Sequence, residues 1–141
     1  MAGAKLYYPD DTIQHAGVVV GLGGVAAHVL CKLPRDAEGY MGRLRCVQEI
    51  SAVTAACMMV KTSVFKAVGG FDEELKVAFN DIDLCMKVRK YGVKIVFTPY
   101  AELYHYESKS RGMEDTPEKQ LRFSREVNCF RRKWERELLK G

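Results

Sequence analysis

The densest group of chemistry-bearing residues is Phe79-Asn80-Asp81-Ile82-Asp83-Leu84-Cys85, in which two carboxylates follow a helix-starting asparagine. With Asn80 as the cap, Asp81 and Asp83 fall in the first helical turn, where the helix dipole favours negative charge by roughly 0.3–1 kcal/mol each. A chemical use competes with that structural one. A carboxylate at a helix start, projecting into a cleft, accepts a proton from a substrate hydroxyl, and only one of the two need do so. A second group, Tyr104-His105-Tyr106-Glu107-Ser108-Lys109-Ser110-Arg111-Gly112, follows a strand-like segment. A neutral imidazole at His105 could ligate a metal ion, and the planar fork of Arg111 on a glycine-ended loop matches a phosphate. A lone histidine more often serves structure. His15 and His28 carry less weight still, because they stand in strand-like or small-residue segments with no nearby acid. A third group, Val18-Val-Val-Gly21-Leu-Gly23-Gly-Val-Ala26, has the G-x-G-x-x-A outline of a dinucleotide-binding turn. A helix opened there would stop at Pro34 after about two turns, too short for a parallel crossover, so a strand ending in a glycine bend is favoured.

Positioning these groups requires a mixed α/β arrangement. Lys5 to Tyr8 and Ile13 to Val20 flank Pro9-Asp10-Asp11, a turn composition, and read as a hairpin. Val25 to Leu33 reads as a short helix or irregular chain, and 34–42 as a surface loop. Val53 to Val60 is apolar at every position, which suits a strand buried on both faces at the sheet centre. Thr62 is placed to cap a short helix that Gly69-Gly70 closes, since glycine accepts the left-handed conformation that ends helices. Asn80 opens the next helix, with Ile82, Cys85, Met86 and Arg89 on one face. Gly92 ends it before strands at Val93 to Thr98 and Ala101 to Glu107. A long amphipathic helix at about 116–139 carries Phe123, Val127, Phe130, Trp134 and Leu138 as its apolar stripe.

Length and composition set the frame for these elements. The chain has 141 residues, 48% hydrophobic and 28% charged, the make-up of one globular domain and not of a disordered segment. Its longest apolar stretches, around Ala16 to Ala27 and Val53 to Val60, are shorter than the ~18–20 residues that cross a bilayer. Met1-Ala-Gly-Ala-Lys lacks a secretory leader pattern, so a cytoplasmic location is expected. The five cysteines form no C-x-x-C pair and are expected as small core residues. The formal net charge of +4 equals the excess of Lys and Arg over Glu in residues 118–140. Those charges alternate with Glu and have no aromatic platform, so a solvated helix face is expected and no nucleic-acid partner.

Read in order, Ile13-Gln-His-Ala-Gly17, Thr54-Ala-Ala-Cys57, Gly69-Gly-Phe-Asp-Glu73, Phe79-Asn-Asp-Ile-Asp-Leu-Cys85, Thr98-Pro99, Tyr104-His-Tyr-Glu-Ser108 and Arg111-Gly112 resemble the C-terminal half of a family 2 glycosyltransferase of GT-A fold. The resemblance runs from about Gly3 to Trp134. It implies inverting transfer of a sugar from a nucleotide-diphosphate donor to a glycan or lipid-linked acceptor hydroxyl, in cell-surface polysaccharide or glycolipid synthesis. It further implies Asp81 as the base, with Asp83 as the alternative because Asn80 stands where the family often has Glu. Gly69, Gly70 and Asn80 fall on the donor and acceptor loop, Arg111 on the diphosphate, and His105 on the metal, which would be Mg or Mn.

The family's nucleotide-binding half, with its paired metal-binding aspartates, would precede Gly3. The expectation is therefore one truncated domain over 1–141, the acceptor-side half, without turnover alone and prone to self-association through the face its other half would cover. Contact with the inner face of a membrane accompanies the lipid-linked acceptor. A non-catalytic glycan- or protein-binding module is the alternative.

Overall fold

The computed structural model describes residues 1–106 and 116–139. Its centre is β1 (Ala2–Tyr7), which runs parallel to β7 (Val96–Tyr104), with Ala2 opposite Val96 and Tyr7 opposite Tyr104. β2 (Ile13–His15) and β6 (Met58–Met59) lie antiparallel to β1, and β5 (Gln48–Glu49) antiparallel to β7, so the five-stranded sheet is mixed. β3 (Val18–Val20) and β4 (Ala26–His28) form a separate two-stranded antiparallel ribbon. Helices α1 (Thr62–Ala67), α2 (Asn80–Lys90) and the long α3 (Pro117–Leu138) complete the chain. The expected α/β class, a mixed sheet with flanking helices and a long terminal helix, is what forms.

Several elements differ from their sequence reading. The apolar run Val53 to Val60 is not the sheet centre. Within it only Val53 is fully buried; a 3-10 turn at Ala55–Cys57 follows, and Met59 is 73% exposed on the short β6. Val53 instead wedges between β1 and α2: a Cβ on Gly3 would meet its side chain at 2.5 Å, and its backbone exchanges contacts with Cys85 Sγ. β1 takes the centre although it contains Lys5, whose Nζ reaches the Arg35 carbonyl at 3.4 Å and lies 5.4 Å from the Tyr7 ring centroid.

The two strands expected at Val93 to Thr98 and Ala101 to Glu107 are, among the described residues, one strand, β7; Glu107 lies outside them. The register of β7 against β1 slips between Ala4 and Lys5, which absorbs Pro99 in a bulge. The glycine-rich turn after β3 makes a 3-10 turn at Leu22–Gly24 and returns antiparallel as β4, so no dinucleotide-type crossover forms. Of the five cysteines, Cys85 alone is buried; Cys46 is exposed and the other three are half-buried, so the core-residue reading holds only for Cys85.

The core lies between the sheet and the helices, with Leu6, Tyr7, Ile13, Leu84, Ile95 and Phe97 fully buried. α3 closes one side through Phe130 and Trp134, the buried members of its stripe, while Phe123 stays exposed at 44%. Thr116 caps α3 by accepting from the Lys119 backbone N–H, with Pro117 in the first turn. No helix among the described residues is long and apolar enough to cross a membrane.

Candidate functional site

Asp81 is placed by an unusual helix entry. Phe79, not Asn80, occupies the cap position of α2, with φ of +61°, a left-handed conformation costly for a bulky residue. Packing holds it there: its ring stacks on Phe130 with centroids 5.2 Å apart and tilts against Phe123 at 5.9 Å. The chain therefore turns sharply into Asn80, whose Oδ1 accepts from the Asp81 N–H at 2.7 Å. The Asp81 carboxylate is fixed at both oxygens. Oδ1 accepts from the Ile82 N–H at 2.8 Å and Oδ2 from the Ala55 N–H at 3.1 Å. The side chain remains half-exposed, as proton transfer to or from a ligand requires.

Asp83 has a different environment. It is fully buried, takes the Trp134 Nε1–H at 2.8 Å, and pairs with Lys87 at 3.1 Å and Lys133 at 2.8 Å. Lys133 also bridges to Asp72, which it holds below the usual carboxylate range by a direct hydrogen bond. The second acid of the helix and the acid of Gly69-Gly-Phe-Asp-Glu73 thus converge on α3. Gly69 and Gly70, with φ of +79° and +65°, end α1 by donating to Lys66 and Phe65 carbonyls, and Gly70 accepts from Lys87 Nζ at 3.0 Å. This is the left-handed helix ending glycine permits.

Across the 54–55 segment from Asp81 lies a cleft of about 110 Å³ lined by Tyr8, Gln14, His15, His28, Cys31, Thr54 and His105. All three histidines of the chain meet there. His15 Nε2 accepts from the Thr54 backbone N–H at 3.4 Å, and its Nδ1 lies 3.0 Å from Nδ1 of His28. Because a backbone N–H only donates, the neutral His15 carries its proton on Nδ1 and gives it to His28. Burial first, and the His28 ring second, push His15 down to about 3, so it is neutral at ordinary pH. Burial likewise pushes the Cys85 thiol up to about 12, an inert core group. His105 follows β7, its N–H donating to the Tyr7 carbonyl at 3.0 Å, and its ring meets Gln14 Oε1 at 2.8 Å.

The structure therefore brings Asp81 and His105 to opposite sides of Thr54-Ala55 without direct contact. Asn80 is adjacent to Asp81. Gly69 and Gly70 are not among the residues lining the cleft, and Arg111 lies outside the described residues. Sequence reasoning missed Gln14, His15, His28 and Thr54 as members of the cleft, although Ile13-Gln-His-Ala-Gly17 and Thr54-Ala-Ala-Cys57 carried the available signal. As for a metal, no group of three or more His, Cys, Asp or Glu side chains among the described residues could hold one. His105 alone does not make a divalent site, so these residues do not fit Mg or Mn without further ligands.

Comparison with known proteins finds relatives on this framework. Over 133 residues, 94% of the chain, it is 62% identical to an uncharacterized protein, y4gI, of Sinorhizobium fredii (strain NBRC 101917 / NGR234). It is 38% identical over 117 residues, 82% of the chain, to the O-antigen biosynthesis protein RfbC of Myxococcus xanthus. A segment of 62 residues, 44% of the chain, is 36% identical to an N-acetylglucosaminyl-diphospho-decaprenol L-rhamnosyltransferase of Mycobacterium tuberculosis (strain ATCC 25618 / H37Rv). The chain spans 15%, 9% and 20% of the lengths of these three proteins. No family model matches, and no solved structure does. These similarities support a glycosyltransferase-like relationship.

Proposed function

We propose that this chain forms the acceptor-side part of an inverting glycosyltransferase of family 2 type, with the GT-A fold, acting in polysaccharide or glycolipid synthesis. The donor would be a nucleotide-diphosphate sugar and the acceptor a hydroxyl of a glycan or lipid-linked glycan. The observation that carries the reading is the Asp81 carboxylate, half-exposed at the start of α2 and gripped at both oxygens by backbone N–H groups of two elements. Its remaining lone pairs are available to a substrate hydroxyl, and a fixed carboxylate removes that proton as the oxygen attacks the anomeric carbon. Asp83 has no such access, being buried against Trp134, Lys87 and Lys133, which favours Asp81 over the alternative. The names of the relatives, O-antigen biosynthesis and rhamnosyl transfer, agree with this chemistry.

In this reading His105 stands on the donor side of the site, Arg111 closes on the phosphates, and Gly69, Gly70 and Asn80 flank the acceptor. Mg or Mn belongs to the proposal only with carboxylates supplied from outside the described residues, and no step is assigned to it. The reaction would take place in the cytoplasm, at the inner membrane face when the acceptor is lipid-linked. The 141 residues alone would lack turnover and bind nucleotide sugar poorly. Titration calorimetry of the chain with uridine and thymidine diphosphates, with and without Mn, tests the last point. The expected result is no saturable heat at micromolar concentrations; tight, metal-dependent binding would overturn the acceptor-side assignment.

A further inference from the structure

We propose that Gln14 is a positioning residue for His105: its amide fixes which ring nitrogen of His105 carries the proton and turns the lone pair of the other toward the cleft. The inference rests on two contacts made by one buried side chain. Gln14, on β2, is 6% exposed; its Nε2 donates to the His105 backbone carbonyl at 3.3 Å, and its Oε1 lies 2.8 Å from Nδ1 of the same residue.

The carbonyl of His105 is acceptor-only, so the amide nitrogen of Gln14 must face it. The amide oxygen then faces Nδ1, and an oxygen acceptor there requires a proton on that nitrogen. The reversed amide would set two oxygens against each other. One buried amide thus assigns both its own orientation and the histidine tautomer. The neutral His105 ring has Nδ1–H engaged with Gln14 and an unprotonated Nε2, the opposite of the form free imidazole favours in water.

The consequence concerns what His105 can meet. An unprotonated Nε2 coordinates a cation or accepts a hydroxyl proton, but it cannot donate to a bare phosphate oxygen. Orientation of a histidine through its second nitrogen is a general way to prepare such a lone pair. The choice of His105 as a contact to the donor rests on the proposed glycosyl transfer. The tautomer and its dependence on Gln14 do not, so the two fail separately.

The test is long-range proton–nitrogen correlation spectroscopy of the full chain with 15N-labelled histidine at about pH 8, with His105 assigned through the loss of its signals in His105→Ala. The expected wild-type pattern has a protonated Nδ1 and an unprotonated Nε2. In Gln14→Leu the pattern moves to the Nε2–H form or to a mixture. An Nε2–H pattern for His105 in the wild type would overturn the proposal, as would an unchanged pattern in folded Gln14→Leu. Should Gln14→Leu fail to fold, the wild-type pattern decides. The readout distinguishes positioning from a purely structural glutamine, whose loss would lower stability without moving the proton.

Discussion

At the level of single residues, Asp81 and Asp83 show how two adjacent carboxylates of one helix turn acquire different roles. Neighbours decide it. Asp81 faces backbone N–H groups and solvent, whereas Asp83 is closed beneath Trp134 between two lysines. Removing Asp83 leaves the buried indole N–H of Trp134 without its acceptor and takes one partner from the half-buried Lys87 and the exposed Lys133, and an unsatisfied buried donor costs about 1–3 kcal/mol. Asp83→Ala is therefore expected to lose that much stability in urea unfolding, and more than Asp81→Asn, whose amide oxygen keeps one backbone N–H while water beside the half-exposed side chain can take the other. Equal losses in the two variants would contradict the division of roles. His15 adds a pH dependence. Native His15 is pushed down to about 3, whereas the unfolded chain titrates near the ordinary histidine value of about 6.5. Between those values the unfolded state binds the extra proton, so stability is lost as pH falls through that window, by up to roughly 1.4 kcal/mol per pH unit. His15→Asn should flatten the stability profile between about pH 7 and pH 4, and an unchanged slope would remove His15 as its source.

At the level of elements, the sequence made the helices legible and misplaced the sheet. Thr116-Pro117 and Gly69-Gly70, a cap and a helix stop, act as the sequence indicates, whereas the expected caps Thr62 and Asn80 each lie one residue inside their helices, which begin after Lys61 and Phe79. The strands depend on partners. Val53 to Val60 has the composition of a central strand, but its buried part is a wedge opposite Gly3, a relation between residues far apart in sequence. β1 was obscured as the centre by Lys5, whose long stem is accommodated beside Tyr7 while its ammonium reaches a carbonyl. For the site, Asp81 and His105 stood out by type and spacing. Gln14, His15 and His28 became members only when β2 and β4 brought them to the end of β7, which no periodicity encodes. The bend between β2 and β3 provides a sharp test of this packing. Gly17 has φ of +105°, and a Cβ there would lie 2.8 Å from the Ile50 side chain. Gly17→Ala combines backbone strain with a clash, and a loss of about 1–3 kcal/mol is expected in denaturant unfolding. A neutral effect would mean the bend is not held as described.

At the level of the whole molecule, the chain covers a small part of each relative's length, and its surface carries exposed apolar groups including Tyr40, Met41, Met59 and Tyr100. β6 pairs with β1 along one side, and no strand among the described residues pairs with its other side. Such edges and apolar groups promote association. Sedimentation velocity is expected to show concentration-dependent self-association in the micromolar range, and a compact monomer throughout that range would contradict it. The central claim concerns catalysis by Asp81, and it is tested most directly in a longer protein that carries this chain together with a donor-binding segment. Sugar transfer from a nucleotide-diphosphate donor to an acceptor hydroxyl should be measured for the parent and for Asp81→Asn, with circular dichroism confirming an unchanged fold. Loss of a positioned general base predicts a fall in kcat of roughly 10²- to 10⁴-fold; transfer by Asp81→Asn at the parental rate would contradict the assignment.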